Sequence, residues 1–199
     1  MKYRVITVAR EFGSGGREIG KKVAEQLGLK YYDREIVLKA AEESGLSTEY
    51  IEQNGEYAAS KNIFAYAFIG RDLNGHSVTD ELGRLQRDII QKAAEDAPCV
   101  IIGRGADYIL RDRSDVLSVF IHAETDAKQK RIMKLYRKTE KEALDMMRDI
   151  DKKRAINHKY FTDREWGKSK YYTMCLNSSQ LGIDECVSLI CKVYLRGAR

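Results

Sequence analysis

The chain has 199 residues, 43% of them apolar, and a formal net charge of +5. That length and apolar content make one domain with a sizeable core and exclude wholesale disorder, and the mildly basic balance suits a polyanionic small molecule as well as a nucleic acid. No uninterrupted apolar run approaches the roughly 18 residues of a membrane span, and Arg10 and Glu11 stop the first apolar stretch before a secretory segment forms, so a soluble cytoplasmic protein is expected.

In chain order, residues 4–9 are β-branched and bounded by charge, as in a buried strand. Gly13-Ser14-Gly15-Gly16 follows, and then Ile19, Val23 and Leu27 recur every four residues, predicting an amphipathic helix ended by Gly28. A short segment Leu29-Lys30-Tyr31-Tyr32 leads to Asp33, and residues 34–44 read as a helix. Residues 45–75 are ambiguous and polar, with an aromatic patch at 63–68 that reads as packing. The spacing predicts a helix over 79–96, a strand over 99–102, a second glycine turn at Gly103-Arg104-Gly105 and a strand over 116–121. Charged helices are predicted over 125–137 and 140–158, the second opened by Thr139 and Glu142 at capping-box spacing. A strand over 172–176 and a helix over 183–195 close the chain. Strands alternating with helices predict an α/β protein with a mainly parallel sheet, whose ligands bind beyond the carboxyl ends of the strands. Both glycine turns lie there.

Cys99, Cys175, Cys186 and Cys191 lack paired metal or redox spacing and are expected to be reduced and mostly buried. His76, His122 and His158 are scattered and read as structural or exposed. The chemistry is concentrated in three places. The segment Glu11 to Arg17 places Gly13, Ser14, Gly15 and Gly16 between a strand and a helix N-terminus, an anion nest suited to phosphate. Measured from the strand, the lysine position of a P-loop falls on Gly16 or Arg17 and the hydroxyl position on or near Glu18. Arg17 can supply charge as a planar fork, which is not equivalent to an ammonium, and Ser14 is the candidate hydroxyl for a metal. Arg104, at the end of the second strong strand, can hold a phosphate bidentately, and Asp107 can hold a substrate amine or metal-bound water. Finally, Arg131, Lys134 and Lys138 share one helix face, and Arg148, Asp151 and Arg154 share another. Beside a phosphate nest such helices read as a lid whose arginines neutralise a transferring phosphoryl group.

The run Ile6 to Gly20 resembles the start of the cytidylate kinase-like proteins, a branch of the P-loop nucleoside monophosphate kinases. Tyr31-Tyr32-Asp33, Val100 to Leu110, Asp151 to Ala155, Trp166-Gly167 and Leu176 to Ser179 resemble that family in the same order. The resemblance implies a three-layer P-loop kinase-type core (1–33, 79–125 and 171–199), a small monophosphate-binding acceptor lobe (about 34–78) and a lid (about 126–170). It implies transfer of the γ-phosphoryl of ATP to CMP or dCMP with Mg²⁺. Residue by residue, Gly13 to Arg17 match the phosphate loop, Asp33 and Arg104 match acceptor-lobe and acceptor-phosphate residues, Arg131 matches an arginine leading into the lid, and Arg148, Asp151 and Arg154 resemble the lid cluster that meets phosphate and base.

The expected partners are therefore small nucleotides. Two other classes of function are set against this. One is a nucleotide-binding regulatory protein without kinase activity, or a kinase for a different small acceptor, suggested by the missing loop lysine and hydroxyl. The other is a nucleic-acid module using the basic face of 128–154, for which no groove-reading motif is visible.

Overall fold

The computed structural model describes residues 3–33, 36, 38, 39, 42 and 78–196. The aromatic patch at 63–68, His76 and nearly all of the expected acceptor lobe lie outside the described residues.

The described chain opens with β1 (Val5–Arg10), α1 (Gly16–Leu27) and β2 (Lys30–Tyr32), and continues with α2 (Val78–Asp96), β3 (Cys99–Ile102) and the four-residue α3 (Ala106–Ile109). Then come β4 (Val116–His122), α4 (Thr125–Tyr136), α5 (Glu140–Thr162), a 3₁₀ turn (Ser169–Tyr171), β5 (Met174–Asn177), α6 (Ser178–Leu181) and α7 (Ile183–Arg196). The five strands form one sheet in the order β2-β3-β1-β4-β5. Every pairing is parallel, with Val5 opposite both Cys99 and Val116. This is the α/β core expected from the sequence.

The strands alternate between two apolar layers because successive side chains leave opposite faces of a sheet. Ile6, Val8, Val100, Ile102, Leu117, Val119 and Ile121 pack with Ile19 and Val23 of α1 and Cys186, Val187, Ile190 and Cys191 of α7. Val5, Cys99 and Ile101 face the other way, onto Ile36, Ile89, Ile90 and Ala94. β1 is buried along its whole length, as a strand covered on both faces must be. The four cysteines are free, three of them buried and Cys175 exposed.

Two boundaries differ from the sequence reading by two residues or more. Tyr172 was expected to begin the last strand. Instead its N–H closes the 3₁₀ turn on the Ser169 carbonyl at 3.1 Å, and its buried ring packs 5.0 Å from Phe120, centroid to centroid. Its apolar character thus reports packing, and the strand begins two residues later. α5 runs one turn past 158 to Thr162, whose hydroxyl donates to the His158 carbonyl at 2.6 Å. It stops at Asp163 in the left-handed region, φ 55°. The expected capping box at Thr139 and Glu142 is present in full.

Candidate active site

β1 sits between β3 and β4, whereas the chain leaves β1 first for the distant β2. Its carboxyl end is therefore the point where the winding of the sheet reverses, the usual crevice for ligands in such folds. The segment Glu11 to Gly15 occupies this crevice and delivers the N-terminus of α1. Gly13 and Gly15 have φ of 81° and 80°, a conformation that exacts strain from residues with a Cβ. The surroundings also leave no room. A Cβ on Gly13 would lie 2.9 Å from the Lys128 carbonyl and from the Ile132 side chain of α4, and one on Gly15 would lie 2.6 Å from Ile183 of α7. Gly16 is the tightest of the three, with Arg10 Cβ 2.5 Å and Ile121 Cβ 3.3 Å from the place its own Cβ would take. Gly16→Ala should therefore destabilise the protein by about 1–3 kcal/mol through overpacking. A thermal melt checks this, and an unchanged Tm would mean that the crevice yields more readily than its packing implies.

The loop is held by its neighbours. Ser14 is 1% exposed, its hydroxyl donates to the Glu11 carbonyl at 2.8 Å, and its own carbonyl accepts from the Ser178 hydroxyl at 2.5 Å. Ser178 opens α6, so the Leu176 to Ser179 segment serves as a brace for the loop. Arg17 turns outward from the first turn of α1 and forks onto Asp33, Nε to Oδ2 at 2.6 Å and Nη2 to Oδ1 at 3.3 Å. Two residues picked separately from the sequence therefore meet as one bidentate pair. Lys22, more than a full turn further along α1 than Arg17, pairs with Asp184 at 2.8 Å. Arg131 of α4 lies over Gly15, with its Cζ 3.2 Å from the site of a Cβ there, and donates to Glu18 at 3.0 Å.

α4 and α5 are anchored on the loop through a network that includes charges the sequence reading passed over. Lys128 Nζ lies 2.8 Å from Glu11 Oε2 and 3.8 Å from Asp151 Oδ2. The Phe12 N–H donates to Asp151 Oδ1 at 2.7 Å. Arg154 donates to the Arg10 carbonyl at 3.1 Å and lies 3.7 Å from Asp151. The Phe12 side chain packs against Ile132, Ala143 and Met147. Burial pushes the Asp151 carboxyl up to about 6, against the Phe12 N–H, Arg154 and Lys128, which pull it down. Lysine is a surface residue by default, and nothing in the helical periodicity around Lys128 marks it as only 7% exposed. Glu11 sits inside the loop motif, and its partner became visible only in three dimensions. Arg148, by contrast, is exposed on α5.

A cleft opens beside the loop. Arg10, Arg87, Arg104 and Arg154 line it together with Asp107, His158, Phe161 and Trp166. Arg104 sits at φ 58° between two left-handed glycines, and its carbonyl accepts from Gln86 of α2 at 3.0 Å. Asp107 stands in the first turn of α3, directly after this Gly-Arg-Gly turn. The structure thus gathers Arg104, Asp107 and Arg154 in one cleft, with Asp151 and Arg131 at the neighbouring loop.

A glycine loop at a helix N-terminus is the general setting for binding phosphate; here the Phe12 and Ser14 N–H groups are taken by Asp151 and the Glu11 carbonyl, which leaves that role to Gly13, Gly15 and the first turn of α1. Among the described residues no three His, Cys, Asp or Glu side chains gather as a metal site, and the Ser14 hydroxyl proton is already committed to Glu11. Magnesium is commonly carried on substrate phosphates with only one or two protein ligands. Among the described residues no helix is long and apolar enough to cross a membrane.

Comparison with known proteins places these features in context. The sequence profile of the cytidylate kinase-like family matches residues 5–180. An uncharacterized protein from Eubacterium ventriosum ATCC 27560 has a similar crystal structure, with 28% identity and a TM-score of 0.72, covering 96% of this chain and 97% of that one. The shikimate kinase of Bacteroides thetaiotaomicron shares the fold at 16% identity and a TM-score of 0.54, over 95% of this chain and 97% of its own. The shikimate kinase of Acinetobacter baumannii, solved with shikimate, does so at 12% identity and a TM-score of 0.53, over 98% and 94%. No curated protein matches the chain in sequence.

Proposed function

This chain belongs to the cytidylate kinase-like family, and on that premise we propose that it transfers the γ-phosphoryl group of ATP to a nucleoside monophosphate, CMP or dCMP being the acceptors the family resemblance favours. One observation carries the reading. A glycine loop shaped for phosphate and an arginine-lined cleft open side by side at the same edge of one parallel sheet, joined by a single helix that touches both through Asp151 and Arg154.

In this reading the loop N–H groups hold the donor phosphates, and Arg131 adds positive charge over Gly15. Asp151 holds the loop in shape by accepting from the Phe12 N–H. Arg104 and Arg154 hold the acceptor phosphate in line. An acceptor phosphate oxygen attacks the γ-phosphorus, the bond to the β–γ bridging oxygen breaks, and ADP leaves. The acceptor is already an anion, so no general base is required, and positioning with charge neutralisation supplies the catalysis. A magnesium ion bound with the nucleotide would supply further neutralisation of charge.

The bidentate Arg17–Asp33 pair favours a second reading, a nucleotide-binding regulatory protein. In it the arginine that follows the glycines is committed to a carboxylate and no transfer follows. An ADP-release assay with ATP and Mg²⁺ against CMP, dCMP, UMP, AMP and GMP separates the two. Formation of a nucleoside diphosphate, verified by chromatography, is the expected result. ATP binding without diphosphate from any of these acceptors would move the protein to the regulatory class or to a kinase for a different small acceptor.

A further inference from the structure

Among the groups of the cleft that phosphoryl transfer does not use is His158. It is 8% exposed and lines the cleft. Its Nε2 is buried and has no hydrogen-bond partner among the described residues. A buried imidazole nitrogen left unpaired is costly, because it gives up its hydrogen bond to water and gains none in return. Such a cost persists in a folded protein where a ligand relieves it.

The position of His158 indicates what that ligand group is. Along α5, Asp151 touches the phosphate loop, Arg154 touches the end of β1, and His158 follows one turn further, a rise of about 6 Å. An acceptor whose phosphate rests on Arg104 and Arg154 therefore extends its far end toward His158. The walls there include the rings of Phe161 and Trp166, which suit a planar heterocycle. The charged groups facing His158 are Asp107 from α3 and Arg164 from the segment after α5. Burial pulls the imidazole down, Asp107 opposes that and Arg164 adds to it. Burial also pushes the Asp107 carboxyl up, against His158 and Arg164. Burial thus favours the uncharged imidazole, which accepts a hydrogen bond at whichever ring nitrogen carries no proton.

We propose that His158 is a specificity-determining residue of the cleft, its Nε2 accepting a hydrogen bond from an exocyclic amine on the acceptor base, with Asp107 setting the electrostatics around the imidazole. This rests on the nucleotide-acceptor reading above. A keto oxygen in the same place brings two lone pairs together and leaves both unpaired. A site built to hydrogen-bond one group rejects an analogue lacking it far more strongly than an apolar pocket rejects a size difference.

The test is equilibrium binding of CMP and of UMP to the full chain by titration calorimetry, with wild type, His158→Leu and His158→Gln. The expected wild-type preference for CMP over UMP is about tenfold or more, equivalent to the roughly 1–3 kcal/mol of one unpaired buried group. His158→Leu should bring the two affinities within about twofold, while His158→Gln, whose amide oxygen still accepts, keeps part of the preference. A wild type that binds both equally or binds neither overturns the proposal, as does a folded His158→Leu protein that keeps the full preference. Should the leucine variant not fold, the wild-type imidazole nitrogen resonances decide. CMP moves the His158 Nε2 signal and UMP does not, and equal movement by both overturns the assignment. Binding is read without turnover, so a parallel assay that yields no diphosphate strikes the phosphotransfer reading alone.

Discussion

Arg104→Gly should lower kcat/KM for the acceptor by about 10²–10⁴-fold, roughly 3–5 kcal/mol of transition-state binding, and leave the fold in place. The backbone makes glycine the informative replacement. Arg104 sits at φ 58°, where a side chain costs roughly 1–2 kcal/mol and glycine costs almost nothing. The carbonyl that Gln86 binds is retained, because it belongs to the backbone. The substitution therefore removes the guanidinium without straining the turn, and any loss of activity is chemical. Arg104→Lys should recover only part of the loss, since an ammonium keeps the charge and loses the two-pronged geometry. Steady-state kinetics with varied acceptor, alongside a thermal melt, provide the check. Unchanged kcat/KM in a folded Arg104→Gly protein would remove Arg104 from the acceptor site.

Asp151→Ala should have the largest effect on stability, about 2–4 kcal/mol, with weaker ATP binding as well. The carboxylate accepts the Phe12 N–H at 2.7 Å and lies within 4 Å of Lys128 and Arg154. Its removal leaves a loop N–H and two buried cations short of a partner. Protonation state adds a second signature. The folded pKa of about 6 lies above the ordinary 3.8, so the folded state holds this proton more tightly than the unfolded chain does. The carboxyl's contribution to stability is thus fully present below about pH 4 and is lost as pH rises through 6, by as much as about 3 kcal/mol. Asp151→Asn, which cannot titrate, should have a flatter stability curve than wild type between pH 4 and 6. Denaturant titrations across that range test it, and parallel curves would mean that Asp151 titrates like a surface carboxylate.

The sheet and both glycine turns were legible because they depend on local pattern. The β-branched run ahead of Gly13, the four-residue recurrence of Ile19, Val23 and Leu27, and the strand at 99–102 each announce themselves within a dozen residues. The structure placed Arg104, Asp107 and Arg154 in one cleft, but it also showed what local pattern does not carry. The Arg17–Asp33 pair joins residues 16 apart through β2, and the Glu11–Lys128 pair spans 117 positions. Neither helical spacing nor strand alternation encodes such distances. His158 read as structural or exposed because a lone histidine has no motif; its place in the cleft depends on the turn of helix that sets it beyond Arg154. Tyr172 was misplaced into a strand because buried aromatic packing and strand propensity favour the same residue types.

The crowding around Gly16 also restricts which sequences this protein can reach. Gly16→Lys, one of the two routes to a lysine-bearing loop, would drive a side chain into Arg10 and Ile121 before any phosphate contact is made. Position 16 is thus a dead end in sequence space, closed by the strand beneath it. The open neighbour is Arg17→Lys, and it exchanges the two-point grip on Asp33 for a single charge. A lineage carrying this loop keeps an arginine at its mouth unless β1, the loop and Asp33 change together, so the loop's chemistry is inherited with its packing.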